Sequence, residues 1–231
     1  MDPSLIGILG FVGMLGIIVL GVPIAFAMLI TASVGLFVVG GPTHAETQIA
    51  VTFTDVGANF VMVAVPLYFM MGQLVQRTNI AADLYECVYR WLGRLPGGLA
   101  ISSVVACAGF GAVSGGSVTA VATMGPMCIP AMQKYKYDDA LATGCISAAG
   151  TLGILIPPSI ILIGYGVLTE TSIGALFIAG IVPGVLMTLG YAITIIIICK
   201  IKPELGPVGE KFTFVEKISS LNKMAPIFGT F

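Results

Sequence analysis

Two stretches of this sequence carry side chains able to bind something, and neither contains a charge. The first is Gly109-Phe110-Gly111-Ala112-Val113-Ser114-Gly115-Gly116-Ser117-Val118-Thr119. The second runs from Ala148 through Gly150-Thr151-Leu152-Gly153 to Pro157-Pro158. Glycine and proline at this density interrupt helices, and an interrupted helix frees backbone carbonyls and N–H groups. The freed carbonyls, with the hydroxyls of Ser114, Ser117 and Thr151, are hard oxygen ligands suited to Na⁺. The candidate sodium set is therefore Ser114, Gly115, Gly116, Ser117, Gly150, Thr151 and Gly153. Ser117 is expected to cap the helix that begins there. The free N–H groups and positive dipole end of that helix would then face a carboxylate without any buried Lys or Arg.

Other chemistry has less support. Gly111-Ala112-Val113-Ser114-Gly115 only approximates the G-x-S-x-G pattern, and His44, the single histidine, falls in a polar stretch far from it. No P-loop is present, no catalytic residue is expected, and no metal beyond sodium is implied. The five cysteines are scattered, with neither disulfide nor metal spacing, and read as small core residues. Helix packing is the competing reading of either stretch taken alone, because Gly111-x-x-x-Gly115 lets helices approach closely. Packing glycines, however, call for neither a double proline nor a turn-back with basic flanks on both sides.

The elements that must hold these residues follow from composition. The chain has 231 residues, 57% hydrophobic and 9% charged, and its mean hydropathy is +1.05. That is a polytopic membrane protein in contact with the lipid bilayer. Nearly all Lys and Arg sit in three short stretches, so nothing supports nucleic-acid binding. The uncharged run 95–133 has Arg90 and Arg94 before it and Lys134 and Lys136 after it. Basic flanks stay cytoplasmic, so both ends are expected on one side and the run must turn back near 109–117. Each arm of about 15 residues is about 23 Å as helix, short of the ~30 Å hydrocarbon core. The run reads as a re-entrant hairpin, and a non-helical tip at that depth requires protein or a watery cavity around it.

Residues 3–43 hold no ionisable group before His44 and are too long for one span. Gly21-Val22-Pro23 splits them into spans near 5–20 and 23–40, one kinked helix being the alternative. Residues 41–55 read as an outward loop, 56–76 as a third span, and 79–93 as an amphipathic helix in the cytoplasmic interface. After the hairpin, 140–169 is a span broken at Gly150–Gly153 and Pro157-Pro158. Residues 173–199 span again, 212–221 are amphipathic, and an apolar segment begins at Met224.

At these residues a resemblance emerges. Ser114-Gly115-Gly116-Ser117-Val118-Thr119-Ala120-Val121-Ala122-Thr123-Met124-Gly125, followed by Ser147-Ala148-Ala149-Gly150-Thr151-Leu152-Gly153-Ile154-Leu155-Ile156-Pro157-Pro158-Ser159-Ile160, closely resembles the large membrane subunit (DctM type) of tripartite ATP-independent periplasmic (TRAP) transporters. Gly21-Val22-Pro23-Ile24-Ala25-Phe26-Ala27 and Leu92-Gly93-Arg94-Leu95-Pro96-Gly97-Gly98-Leu99-Ala100 look like that family too. The resemblance implies Na⁺-driven import of organic acids, such as C4-dicarboxylates or sialic acid, through the bacterial inner membrane. The implied partners are a small membrane subunit and a periplasmic substrate-binding protein. It also implies two inverted repeats, each with a re-entrant hairpin and a broken helix, moving elevator-fashion against a scaffold. Two departures stand out. The family tip commonly reads Ser-Gly-Ser-Ser, so Gly116 can contribute backbone only. The chain is also about half the usual length, making the second repeat a missing partner.

The expected fold is thus all-α, with about five transmembrane helices, one re-entrant hairpin and one broken helix, half of an inverted-repeat transporter. Its parts are scaffold helices (1–78), an interfacial arm (79–94), the hairpin (95–137), the broken helix (138–169), a last span (170–202) and a linker with the start of a second repeat (203–231). Substrate contact is assigned to Ser117, Thr119, Pro157 and Pro158, with no cofactor and sodium as coupling ion. A passive channel or structural membrane subunit is the alternative function. Translocation of a dianion inward against ~100 mV costs roughly 4–5 kcal/mol, which co-transported Na⁺ would offset.

Overall fold

The computed structural model describes residues 3–223, and every regular element among them is helical. The expected apolar segment from Met224 lies outside them. The chain divides between Phe60 and Val61 into two units.

In the first unit, α1 (Pro3–Val19) ends at a break where Gly21 takes φ 89, and α2 (Ile24–Ala58) follows Pro23. Gly41 (φ 76, ψ 177) interrupts α2, with Pro42 opening the next turn. Leu29, Ser33 and Leu36 before this point share a cleft of about 300 Å³ with Ile49, Phe53 and Val56 after it, so the chain doubles back at Gly41. Residues 41–55, expected as a loop, are therefore helical apart from Gly41 itself. Ala45, Glu46, Gln48 and Ala50 are good helix formers behind a proline first turn, and that outweighs their polarity. The expected third span, 56–76, is likewise interrupted: α2 ends at Ala58 and a 3₁₀ turn (Phe60–Val63) intervenes.

The second unit comprises α3 (Ala64–Gln76), α4 (Ile80–Leu92), α5 (Gly98–Ser114), α6 (Ser117–Lys134), α7 (Asp139–Gly150), α8 (Leu152–Leu155), α9 (Ile160–Leu168), α10 (Ile173–Ile201) and α11 (Phe214–Lys223). Its core surrounds α5, which packs against α3, α4, α6, α7, α8 and α10. Phe110, Leu99, Ile101 and Val104 of α5 are fully buried or nearly so, and Met124, Cys128 and Met132 of α6 meet them. The α4 helix is amphipathic, as its pattern requires. Ala81, Leu84 and Cys87 face the core, while Trp91 is 42% exposed. Among the described residues, Ile173–Ile201 is long and apolar enough to cross a membrane, as is Ile24–Ala58 by total length and composition although it doubles back at Gly41; counting each of two bent helix pairs as one span raises the total to four.

Three helix starts are capped by the side chain of the residue just before them. Asp138 accepts from Ala140 N and Leu141 N before α7, Ser159 from Leu162 N before α9, and Ser172 from Ala175 N before α10.

Beyond α10 the chain forms a strap, 203–213, laid across the feet of the α5–α6 hairpin. Gly97 N donates to Gly206 O at 3.2 Å and Asp138 N to Leu205 O at 3.1 Å, so adjacent carbonyls hold both feet. Between them the Tyr137 hydroxyl accepts from Leu99 N (3.3 Å) and donates to Pro207 O (2.7 Å). Farther along, Arg90 pairs with Glu86, donates to Glu216 O at 3.2 Å and lies 5.9 Å from the Phe212 ring centroid. Lys217 stacks over Trp91 at 5.7 Å, completing the seat of α11 on α4.

Candidate functional site

The α5–α6 turn is two residues long. Gly115 closes α5 in the left-handed conformation (φ 66, ψ 11), donating to Gly111 O at 2.8 Å, and Gly116 (φ −144, ψ 139) precedes α6. Only glycine takes Gly115's angles without strain. Here one expectation is corrected. Ser117 is the first residue of α6 and does not cap it; Gly116 holds the cap position and has no side chain to offer. The start of α6 thus lacks a side-chain acceptor, which leaves its first N–H groups for an outside ligand.

This turn seats directly in the break between α8 and α9. Ile160 N donates to Gly115 O at 3.3 Å, and a Cβ on Gly115 would stand 3.0 Å from Pro158 O. The Pro157-Pro158 pair cannot continue α8, and α7–α8 and α9 bend by 42° around it. One layer below, a Cβ on Gly111 would come within 2.7 Å of Gly153 Cα, and one on Gly153 within 3.0 Å of Gly116 O. Gly111 and Gly153 therefore pack α5 backbone to backbone against α8, as the packing reading of Gly111 expects.

The candidate sodium residues fall into two neighbouring groups. Ser114, Gly115, Gly116 and Gly153 form the buried contact just described. Ser114 is 3% exposed, and its hydroxyl is buried without a hydrogen-bond partner. Such an orphan costs about 1–3 kcal/mol unless a ligand satisfies it. Ser117, Gly150 and Thr151 line an open groove of about 390 Å³, together with Val118, Val121 and Ser147. The Ser117 carbonyl stands 3.4 Å from the Cβ position of Gly150, where a Val121 methyl already fills the space.

Three of the four assigned substrate residues are divided between two clefts. Ser117 lies in the groove, whereas Pro157 and Pro158 line a separate cleft of about 420 Å³ with Tyr68, Met71, Val113 and Phe177. Thr119 is held from behind. Its carbonyl accepts from Thr123 Oγ1 (2.9 Å) and Gln76 Nε2 (3.5 Å), and Gln76 Nε2 also donates to Thr123 Oγ1 (2.9 Å).

Gln76 on α3, Ser147 on α7 and Tyr191 on α10 thereby join the neighbourhood, none of them singled out by the sequence. Tyr191 reaches Thr151, its hydroxyl 3.3 Å from Thr151 Oγ1. A composition signal existed only for Ser147, which lies one helical turn before Thr151. Among the described residues no group of three or more His, Cys, Asp or Glu could hold a metal ion. What the site offers is lone pairs from hydroxyls and carbonyls, with protons from the amides that open α6.

Residues 11–227 match the family model of the tripartite ATP-independent periplasmic transporter, DctM component. Among curated proteins, the C4-dicarboxylate TRAP transporter large permease protein DctM of Pseudomonas aeruginosa is 38% identical over 155 residues, 67% of this chain and 36% of that protein. Its counterpart in Vibrio cholerae is 35% identical over 193 residues, 83% of this chain and 42% of that protein. The ectoine TRAP transporter large permease protein TeaC of Halomonas elongata is 32% identical over 209 residues, 90% of this chain and 48% of that protein. The chain thus spans less than half the length of these relatives.

Proposed function

Because the chain belongs to the DctM component family of tripartite ATP-independent periplasmic transporters, a family of membrane transport proteins and not of enzymes, we propose that it supplies the first half of a sodium-coupled permease for organic acids. In this reading α5 and α6 form a re-entrant hairpin in the inner membrane of a bacterium, α7–α9 form a broken span, and a second, similar half faces them across the substrate path. A small membrane subunit and a periplasmic substrate-binding protein complete the transporter.

One observation carries the proposal: two interrupted helices meet tip to break, Gly115 O against Ile160 N, beside the buried and unpartnered Ser114 hydroxyl. Non-helical backbone at membrane depth persists only where protein or a water-filled cavity surrounds it, and opposed breaks of this kind supply both ion and anion ligands. The cation takes carbonyls and hydroxyls from the 114–117 and 150–153 segments. The carboxylate takes the amides at the start of α6, reached through the groove. The substrates in the relatives' names, C4-dicarboxylate and ectoine, both bear a carboxylate and would be served by such a site. Ser117 is assigned to both ligands; Thr119 contributes its amide, and Pro157 and Pro158 meet substrate from the separate cleft that they line.

The test is uptake in proteoliposomes carrying the complete transporter that contains this chain, energised by a Na⁺ gradient and given a loaded binding protein. Saturable, Na⁺-dependent uptake that requires the binding protein is expected. Flux that rises linearly with substrate and ignores Na⁺ would instead establish a passive channel.

A further inference from the structure

Thr151 stands where α7 gives way to α8, on the wall of the Ser117 groove, and two groups contend for its hydroxyl. Thr151 Oγ1 is 2.7 Å from the Ala148 carbonyl oxygen and 3.3 Å from the Tyr191 hydroxyl. A threonine hydroxyl has one proton and two lone pairs. A carbonyl can only accept, so the shorter contact commits the Thr151 proton to Ala148 O. The longer contact then has a single direction: Tyr191 donates and Thr151 accepts. One lone pair is left on Thr151 and no proton. A group with only a lone pair to give can ligate a cation and offers nothing to a carboxylate.

We propose that Tyr191 is a positioning residue for the cation site. By donating to Thr151 Oγ1 it locks the side chain in one orientation and leaves the remaining lone pair for an ion in the groove. Thr151 thereby becomes a sodium ligand and not a substrate contact. The two chemistries of the groove are divided between its walls: the start of α6 offers protons to an anion, and the α7–α8 junction offers electron pairs to a cation. The inference rests on the sodium reading above and adds to it a residue from α10, a helix otherwise read as a plain span.

The purified chain in detergent provides the test, because an ion that binds the folded state and not the unfolded one stabilises it by RT ln(1 + [Na⁺]/Kd) and raises the apparent melting temperature accordingly. NaCl is titrated against choline chloride at constant ionic strength. The unsubstituted chain is expected to be stabilised by Na⁺ and not by choline. Tyr191→Phe should need about 3- to 10-fold more Na⁺ for the same shift, the range expected for one lost neutral hydrogen bond. Thr151→Val should lose most of the Na⁺ response, and Thr151→Ser should keep it. Adding Tyr191→Phe to Thr151→Val should change the Na⁺ response no further, since the tyrosine acts through that hydroxyl. A packing role would instead lower the melting temperature equally with and without Na⁺. No Na⁺-specific stabilisation of the unsubstituted chain would remove the sodium reading itself. A clear Na⁺ response with the same Na⁺ requirement in Tyr191→Phe would overturn the positioning role alone.

Discussion

The α5 and α10 helices are both apolar and nearly free of charge, yet they live in opposite surroundings. In α5, fourteen of its 17 residues are buried. In α10, 29 residues long, the buried ones are Gly180, Gly184, Ile195 and Cys199. The reason lies at their ends. Apart from the donor missing at Pro183, the α10 backbone can satisfy its hydrogen bonds within the helix, so its side chains can face hydrocarbon without protein cover. The α5 helix ends at a left-handed glycine beside an orphan serine hydroxyl and an uncapped neighbour, and each unsatisfied polar group there would cost several kcal/mol if set in lipid. In a membrane chain of this kind, dense burial of an apolar helix marks where polar groups are being held.

The sharpest break of this comparison is topological. Cysteines replacing Arg94 and Gln133 at the hairpin feet should both resist an impermeant thiol reagent in intact cells. Those replacing Thr171 and Lys202 at the two ends of α10 should differ, Thr171 being labelled and Lys202 protected. The native cysteines are buried, so they can stay in place. Labelling of one hairpin foot alone would make α5–α6 a full crossing.

Next in size is a pair of identical substitutions with opposite signs. Gly111→Ala places a Cβ 2.7 Å from Gly153 Cα and should destabilise by about 1–3 kcal/mol. Gly190→Ala in α10 meets nothing within 4 Å and should stabilise by up to about 1 kcal/mol through helix propensity. Thermal unfolding in detergent reads both, and equal signs would show that the α5–α8 contact is looser than described.

A smaller contrast separates hydroxyls that join elements from those that serve their own helix. Tyr137→Phe removes the link between Leu99 N and Pro207 O and should cost about 1 kcal/mol, with faster hydrogen exchange at the Leu99 amide. Thr194→Val removes only a bond to Gly190 O within α10 and should stay within about 0.5 kcal/mol. Unchanged exchange at Leu99 after Tyr137→Phe would show that the strap needs no tyrosine.

The smallest effect concerns helix starts. At the start of α11 Glu216 makes the carboxylate half of a capping box, its Oε2 accepting from Thr213 N and from Thr213 Oγ1 at 2.7 Å each. These bonds hold the Glu216 carboxyl below its ordinary range. A depressed carboxyl stabilises above its unfolded pKa, and that contribution fades as pH falls through the folded value. The first turn of α11 should therefore fray under acid conditions, by amide exchange, while the Ser172 cap of α10, which does not titrate, should not. Equal acid sensitivity at both starts would dismiss the box.

Much of this architecture was legible because glycine, proline and charge punctuate an apolar chain. Gly21-Val22-Pro23 placed one break, Ser114–Ser117 another and Pro157-Pro158 a third, each by backbone chemistry that acts locally. The helix over 42–58 was not legible. His44, Glu46 and Asp55 suggested a loop, and only a reversal confined to Gly41-Pro42 lets them sit on a helix. The cap of α6 was misplaced by one residue, since serine is the commoner cap and glycine won through its conformation. Tyr191 and Gln76 stayed invisible because their partners lie 40 and 47 residues away.

The strap across the hairpin feet has a mechanical meaning. Gly97, just before α5, and Asp138, in the turn that leaves α6 for α7, hang from the adjacent carbonyls of Gly206 and Leu205, which resists sliding or spreading of the hairpin at its foot. The two helices form a lever with one fulcrum. Any excursion of the Ser114–Ser117 tip must then arise from tilting of both helices together, and the same tilt would tug on α11 and α4 through the strap. Motion at the tip would be felt at the opposite end as torque, carried by the eleven residues of the strap, which belong to no helix of the hairpin.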